Sequence, residues 1–395
     1  MSATQQQTSL HSLLSQLNLI QLDKASRKEL WKYYQSHHQK RKKRKLIPNL
    51  ERDLKPGWLL PYLGQIDSLL WGRWNYWAKC QLMPSAAYEG LKWEKAISIV
   101  EEREPTVPDF VIEQTLPDEP IPQIDFQYSP AAEQMLHESL NAIPTHGSWQ
   151  GWGAWTYIEY FLDWLLYGFG HPNYQQLPSE RQGCEGASMR LYQLVDLSLL
   201  LFYPEDYFGK ILPDICSKKA QRNQGFYPTP LVVSRMMSEM TFFDADSKKE
   251  RIKICYEPCV GTGAMLLPAS NKTLCAIGQD IDLTLLKCAL VQFYLYSPWF
   301  AFPIWWLVNR TDLILGNSLT RENPRSINSF YWKELWTNEQ KNDTEKATST
   351  PEQVARQPIS QEATKNSSPF NSTPQETASN PNPVQTTLFD LNNFV

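Results

Sequence analysis

The sequence predicts an α/β fold, a small parallel sheet preceded by a mainly α-helical region and followed by a disordered C-terminal tail. Three observations predict it. The apolar runs at 252–256, 274–279 and 313–315 have the length of buried strands and are separated by segments long enough for crossovers. Gly261-Thr262-Gly263 follows directly on the first run. Upstream, apolar residues recur at helical spacing, whereas large apolar residues become rare from about 338 to 384.

The 395 residues, 42% of them hydrophobic, suffice for one sizeable core or two modest ones with tails. The polar start MSATQQQTSLHSLL lacks the apolar stretch of a secretion signal and predicts a soluble, cytoplasmic protein. No membrane partner is expected: Glu159, Asp163, Gly168 and Gly170 leave the greasiest window short of a span. Seven cysteines, an odd number scattered through apolar segments, read as reduced buried thiols. Cys255 and Cys259 suggest a metal pair, but no second pair or histidine cluster is spaced to complete it, so no metal site is assigned.

The net charge of −4 conceals an asymmetry that marks out the organisation of the chain. Residues 1–100 carry 16 Lys/Arg against 7 Asp/Glu and form a basic, mainly helical N-terminal region. It includes a helical stripe, Leu10, Leu13, Leu14, Leu17 and Ile20, and the run from Lys40 to Lys45. Such a run is commonly a solvated flank; its functional reading is contact with nucleic-acid phosphates, and a nuclear address is a further option. Trp71, Trp74, Tyr76 and Trp77, interleaved with Arg73 and Lys79, suit either core packing or stacking on unpaired bases. Residues 101–130, with one Arg against 8 acids and repeated prolines, read as an extended linker.

Residues 131–220 form a second helical region. Trp155, Ile158, Leu162, Leu165 and Phe169 keep a helical period with Glu159 and Asp163 opposite; a further helix spans 189–202, and another follows Pro204. Residues 221–337 hold the three strand patterns. Residues 338–395 are Asn, Gln, Ser, Thr, Glu and Pro for most of their length and cannot offset ordering entropy by burial.

The strand patterns carry the chemistry. After the first, Glu257-Pro258-Cys259-Val260-Gly261-Thr262-Gly263 forms a turn whose glycines allow positive φ and close approach of a nucleoside. The second strand ends in Asp280, positioned to accept hydrogen bonds from two ribose hydroxyls, with Asp282 as a backup. The third leads to Gly316-Asn317-Ser318, a polar tip. A strand-turn-helix in some other α/β protein would give Glu257 a capping role and leave Asp280 a loop acid. A dehydrogenase is disfavoured because a pyrophosphate site wants a third glycine in series.

With Gln224-Gly225-Phe226-Tyr227-Pro228-Thr229-Pro230 ahead of the glycine turn, residues 204–320 resemble the adenine-specific DNA methyltransferases of restriction-modification systems, including their modification subunits. The segment around Asp206-Tyr207-Phe208-Gly209 resembles that family's lead-in helix. The resemblance implies a partial Rossmann-like fold binding S-adenosylmethionine. Phe226, Tyr227, Thr229 and Pro230 would open the pocket, Glu257, Gly261 and Gly263 would line the methionine side, Asp280 would hold the ribose, and Asn317 would lie near the adenine ring. The Gln-Gly order and Pro228 depart from the family's Gly-Gln-Phe-Tyr-Thr-Pro pattern.

The resemblance fails where catalysis should sit. The family uses an Asn/Asp/Ser-Pro-Pro-Tyr/Phe tetrapeptide to hold the adenine amine and stack on a flipped base. Here the nearest echo is Asn323-Pro324-Arg325, with no apolar strand before it, and no catalytic residue is assigned. About three of seven strands are present, which leaves the first as an edge in need of a cover. The expectation is a DNA-associated protein that binds S-adenosylmethionine without methylating alone. The alternatives are an active enzyme completed by a complementary methyltransferase or specificity subunit, and a tethered module with a vestigial pocket. The C-terminal Gln385, Leu388 and Phe389 resemble peptides that dock on the bacterial sliding clamp, or are incidental hydrophobics in a polar tail.

Overall fold

Helices dominate the described part of the chain because its apolar residues recur mostly at helical spacing, and the strands are few and short. The computed structural model describes residues 23–41, 54–82, 113, 115–145, 154–215, 226–242, 247–304, 307, 310–320 and 324–327, without the side chains of 33–41 and 154. The N-terminal leucine stripe, residues 42–45, Cys216, Gln224, Gly225, Asn323, and the tail with Gln385, Leu388 and Phe389 lie outside them. In chain order the elements are α1 (Lys24–Arg41), α2 (Leu60–Leu70), α3 (Arg73–Leu82), α4 (Pro130–Asn141), α5 (Ala154–Phe169), α6 (Ala187–Leu194), α7 (Leu197–Phe202) and α8 (Tyr207–Ile215). Then come α9 (Leu231–Thr241), α10 (Lys248–Arg251), β1 (Ile254–Glu257), α11 (Leu266–Ala269), β2 (Cys275–Asp280), α12 (Leu283–Tyr296), α13 (Pro298–Ala301), β3 (Asp312–Leu315) and β4 (Arg325–Ser326).

The sheet runs β1-β2-β3-β4, with the first three strands parallel and β4 antiparallel on β3. The mixed α/β class expected from the sequence is present. The sequence reading lacked β4, whose two residues pair through Ile314 opposite Ser326 and Leu315 opposite Arg325 and are too short to leave a pattern. Both parallel steps move the same way across the sheet, so right-handed crossovers put α11 and α12 on one face. Cys255, Ala276, Gly278 and Leu313 are buried on a single face of the sheet.

Helix α12 is the centre of the molecule. Asp282 starts it by accepting from the backbone N–H groups of Thr284 (2.7 Å) and Leu285 (3.2 Å), and every residue from Thr284 to Tyr296 is buried. Helix α5 packs on it, Phe169 stacking on Tyr294 at 4.9 Å and 11°. The polar side of α5 is used as well: Lys287 reaches Asp163 at 2.7 Å and the Thr284 hydroxyl donates to Glu159 at 3.1 Å.

The aromatic cluster belongs to the core. Trp71, Trp74, Tyr76 and Trp77 are buried, and each indole N–H donates to a backbone carbonyl: Trp71 to Leu201 (2.7 Å), Trp74 to Tyr294 (3.1 Å) and Trp77 to Phe302 (2.6 Å). Rings held this way satisfy their one polar group inside the protein and are not offered to bases. Arg73 is buried with them, its guanidinium 4.3 Å from the Trp299 ring and donating to Asn271 at 3.0 Å.

Three expectations are corrected. The single helix expected over 189–202 is two, α6 and α7, because the Asp196 carboxylate accepts from Ser198 N–H (3.1 Å) and starts a new helix. The described part of the acidic linker, 115–129, is no free spacer: Leu116, Ile121, Ile124 and Phe126 are buried, and Ile124 exchanges two 2.9 Å hydrogen bonds with the Asn271 side chain. Finally, Cys80, Cys184, Cys255, Cys275 and Cys288 are buried and outside any disulfide, as expected, but Cys259 is exposed because it stands at the tip of the turn after β1. Among the described residues no helix is long and apolar enough to cross a membrane.

Helix α9 has its faces reversed. It packs on α11 with Leu231, Ser234 and Ser238 buried, while Val232, Val233, Met236 and Met240 face solvent. Its far end is tied down by Glu239 to Lys272 at 2.8 Å and by Lys253 over the buried Phe242 ring at 5.6 Å.

Candidate nucleoside site at the ends of the parallel strands

The glycine turn and the acidic strand tip come together as the sequence pattern requires. Gly261 N–H donates to Asp280 Oδ2 at 2.9 Å, joining the turn after β1 to the end of β2. The other carboxylate oxygen of Asp280 accepts from Asp282 N–H at 3.0 Å. Gly261 has φ +54° and Gly263 φ +93°, backbone that side-chain-bearing residues rarely adopt. A Cβ on Gly263 would lie 3.0 Å from Phe293 Cε1, so this glycine is required by the approach of α12. A Cβ on Gly261 would meet the buried Phe226 ring at 3.4 Å, which brings the segment before α9 against the same turn.

A buried carboxylate holds the turn from beneath. Asp206 accepts from the Thr262 hydroxyl (2.9 Å), the Gln292 amide (2.9 Å) and Gly209 N–H (2.9 Å), and Gln292 also donates to the Thr262 carbonyl at 2.7 Å. Gly209 tolerates no Cβ, because the Asp206 carboxylate fills that space. Burial raises the Asp206 pKa, and the Gln292, Gly209 and Thr262 hydrogen bonds oppose that rise. The lead-in segment is thereby fixed to the glycine turn through one side chain. Sequence reading missed this role, since partners 56 and 86 residues away leave no local signal.

Glu257, at the end of β1, is buried and accepts from Cys259 N–H at 3.2 Å. Burial pushes its pKa up, and the negative charge of Asp280 adds to the effect. Asp280 is itself raised, by burial first. Asp282 caps α12 through its Oδ1, a structural task that sequence reading did not give it.

The remaining expected residues lie around this centre. Thr229 is half-buried and Pro230 exposed; the Pro230 carbonyl accepts from Val233 N–H at 2.9 Å and begins α9. Tyr227 is 72% exposed. Asn317 is exposed after β3, its side-chain oxygen accepting from Leu319 (2.9 Å) and Thr320 (3.3 Å) N–H groups in a local turn. Two apolar residues that sequence reading did not single out follow the strand ends, Ile281 at 68% exposure and Leu319 at 91%.

The arrangement offers hydrogen-bond acceptors for hydroxyls, a glycine backbone and apolar side chains for a ring. Elsewhere, Glu133, His137 and Asp214 bring donor atoms within 4.8 Å of one another on α4 and α8, but nothing else in the described residues points to an ion there. No family model, curated protein or solved structure matches the chain.

Proposed function

We propose that the chain is a DNA-associated protein whose sheet end binds S-adenosylmethionine in a partial Rossmann-like methyltransferase fold, and that it does not methylate adenine alone. The observation that carries this reading is the bond between Gly261 and Asp280. It sets an acceptor carboxylate beside a glycine turn at the carboxyl end of parallel strands, where α/β folds take nucleosides. Asp280 accepts from one backbone N–H on each carboxylate oxygen, and a carboxylate has roughly four acceptor positions, so it can still accept from a ribose hydroxyl. Ile281 and Leu319 supply apolar surface suited to a purine. A thermal-shift panel tests the reading: S-adenosylmethionine and its demethylated product should raise the melting temperature, while NAD should not. A shift with NAD alone would refute it.

A second reading, an active adenine-specific methyltransferase completed by a partner chain, is favoured by the β1 side of the molecule. β1 is the outer strand of the described sheet, and the neighbouring α9 presents Val232, Met236 and Met240 outward. Helices of α/β folds bury such faces, and open sheet edges are usually covered. The test is transfer of a labelled methyl group to unmethylated DNA, with and without a neighbouring polypeptide that carries a strand followed by Asn-Pro-Pro-Tyr/Phe. Transfer only with both chains present would establish this reading, and no transfer with both would count against it.

A further inference from the structure

We propose that helix α1 is a nucleic-acid-binding arm that holds the phosphate backbone through a lysine stripe, Lys24, Lys28 and Lys32, without reading base sequence. The assignment rests on the charge and packing of α1 and not on the cofactor reading, so either can fail without the other.

The helix is fixed to the body by one side only. Asp23 begins it, accepting from Ser26 N–H at 2.7 Å, a bond that also holds the Asp23 carboxyl below its usual range. Arg27 lies 4.6 Å over the Trp71 ring, and Trp31 packs on Phe202 (4.6 Å) and edge-on to Tyr203 (5.3 Å). Leu30 and Trp31 pack against the hydrophobic core. The flank next to Trp31 presents Lys24, Lys28 and Lys32, all exposed, at i, i+4 and i+8. That spacing puts successive ammonium groups on one face, about 6 Å apart along the axis. Among the described residues no carboxylate pairs with any of the three within ion-pair distance.

Residues 24–45 contain ten Lys/Arg and one acid, Glu29, the cations falling in two groups, 24–32 and 40–45. A cationic surface of this density suits a polyanion, because a duplex carries one charge per ~1.7 Å of axis and releases bound counterions when lysines replace them. An anionic membrane is the less suitable partner. Helices that lie in a membrane surface bury an apolar face in it, and α1 has used Leu30 and Trp31 on the body of the protein.

The test is fluorescence anisotropy of the full chain with labelled duplexes of unrelated sequence across a salt series, beside the triple variant Lys24→Gln, Lys28→Gln, Lys32→Gln. The expected result is similar affinity for each duplex and, in the variant, a slope of log K against log salt shallower by roughly 2–3, at about 0.9 per phosphate contact. The three side chains are exposed, so an unchanged melting temperature will show that the variant is folded. Its S-adenosylmethionine titration should match that of the unsubstituted chain, whatever that chain shows. An unchanged salt slope in the folded variant would overturn the proposal. So would binding to phosphatidylserine vesicles with no measurable affinity for duplexes.

Discussion

Helix α12 and the segment leading into α9 meet at the same glycine turn, and the two helices are built on opposite plans. Helix α12 buries thirteen consecutive residues and carries Phe293 against Gly263 and Gln292 into the Asp206 cluster. Helix α9 buries Leu231 and two serines and turns valine and methionine to solvent. Amphipathic helices of globular proteins normally do the reverse. The β2–β3 side of the sheet is thus a finished core, and the β1 side is built like half of an interface.

The largest effect expected from this contrast is on the finished side. Phe293→Ala should cost about 3–5 kcal/mol in chemical denaturation, because a fully buried ring leaves a cavity between α12 and the turn. Asp206→Ala should cost more than about 2 kcal/mol, because Thr262, Gln292 and Gly209 lose a buried partner together. Asp206→Asn, which keeps the shape and an acceptor, should recover most of that loss. A small loss with alanine would mean the turn is held by its backbone alone.

The next effect is expected from pH. Burial raises the pKa of Asp67, which accepts from Trp74 N–H at 2.8 Å, from 3.8 to about 7. Between those values the folded state holds a proton that the unfolded chain has released. The contribution is fully present below about pH 4 and is lost as pH rises through 7. Asp67→Asn should flatten the fall in unfolding free energy over that window; an unchanged pH profile would show that the carboxyl titrates normally.

The smallest effect belongs to α9. Met236→Lys should change stability by no more than about 0.5 kcal/mol if its face is open in the isolated chain. A loss above about 1.5 kcal/mol would show that the chain covers this face itself, and the contrast between the two helices would disappear.

What could be read in the sequence follows the same division. The three parallel strands, the glycine turn and the acidic strand tip are local patterns, and they appear where the spacing put them. The helix at Trp155 was legible because its stripe is conventional, and α9 was not, because its apolar residues point the unusual way. Asp196 and Asp282 act as helix caps, a role that depends on local backbone geometry more than on hydrophobic period. The Asp206 cluster and the packing of 115–129 depend on contacts across much of the chain, for which a single sequence has no signal.

The central claim is that Asp280 and the glycine turn form a cofactor site, and calorimetric titration with S-adenosylmethionine tests it most directly. The expected result is micromolar binding that Asp280→Ala abolishes while the variant keeps the circular dichroism spectrum of the folded chain. No heat of binding with the unsubstituted chain, or equal affinity in a folded Asp280→Ala variant, would contradict it.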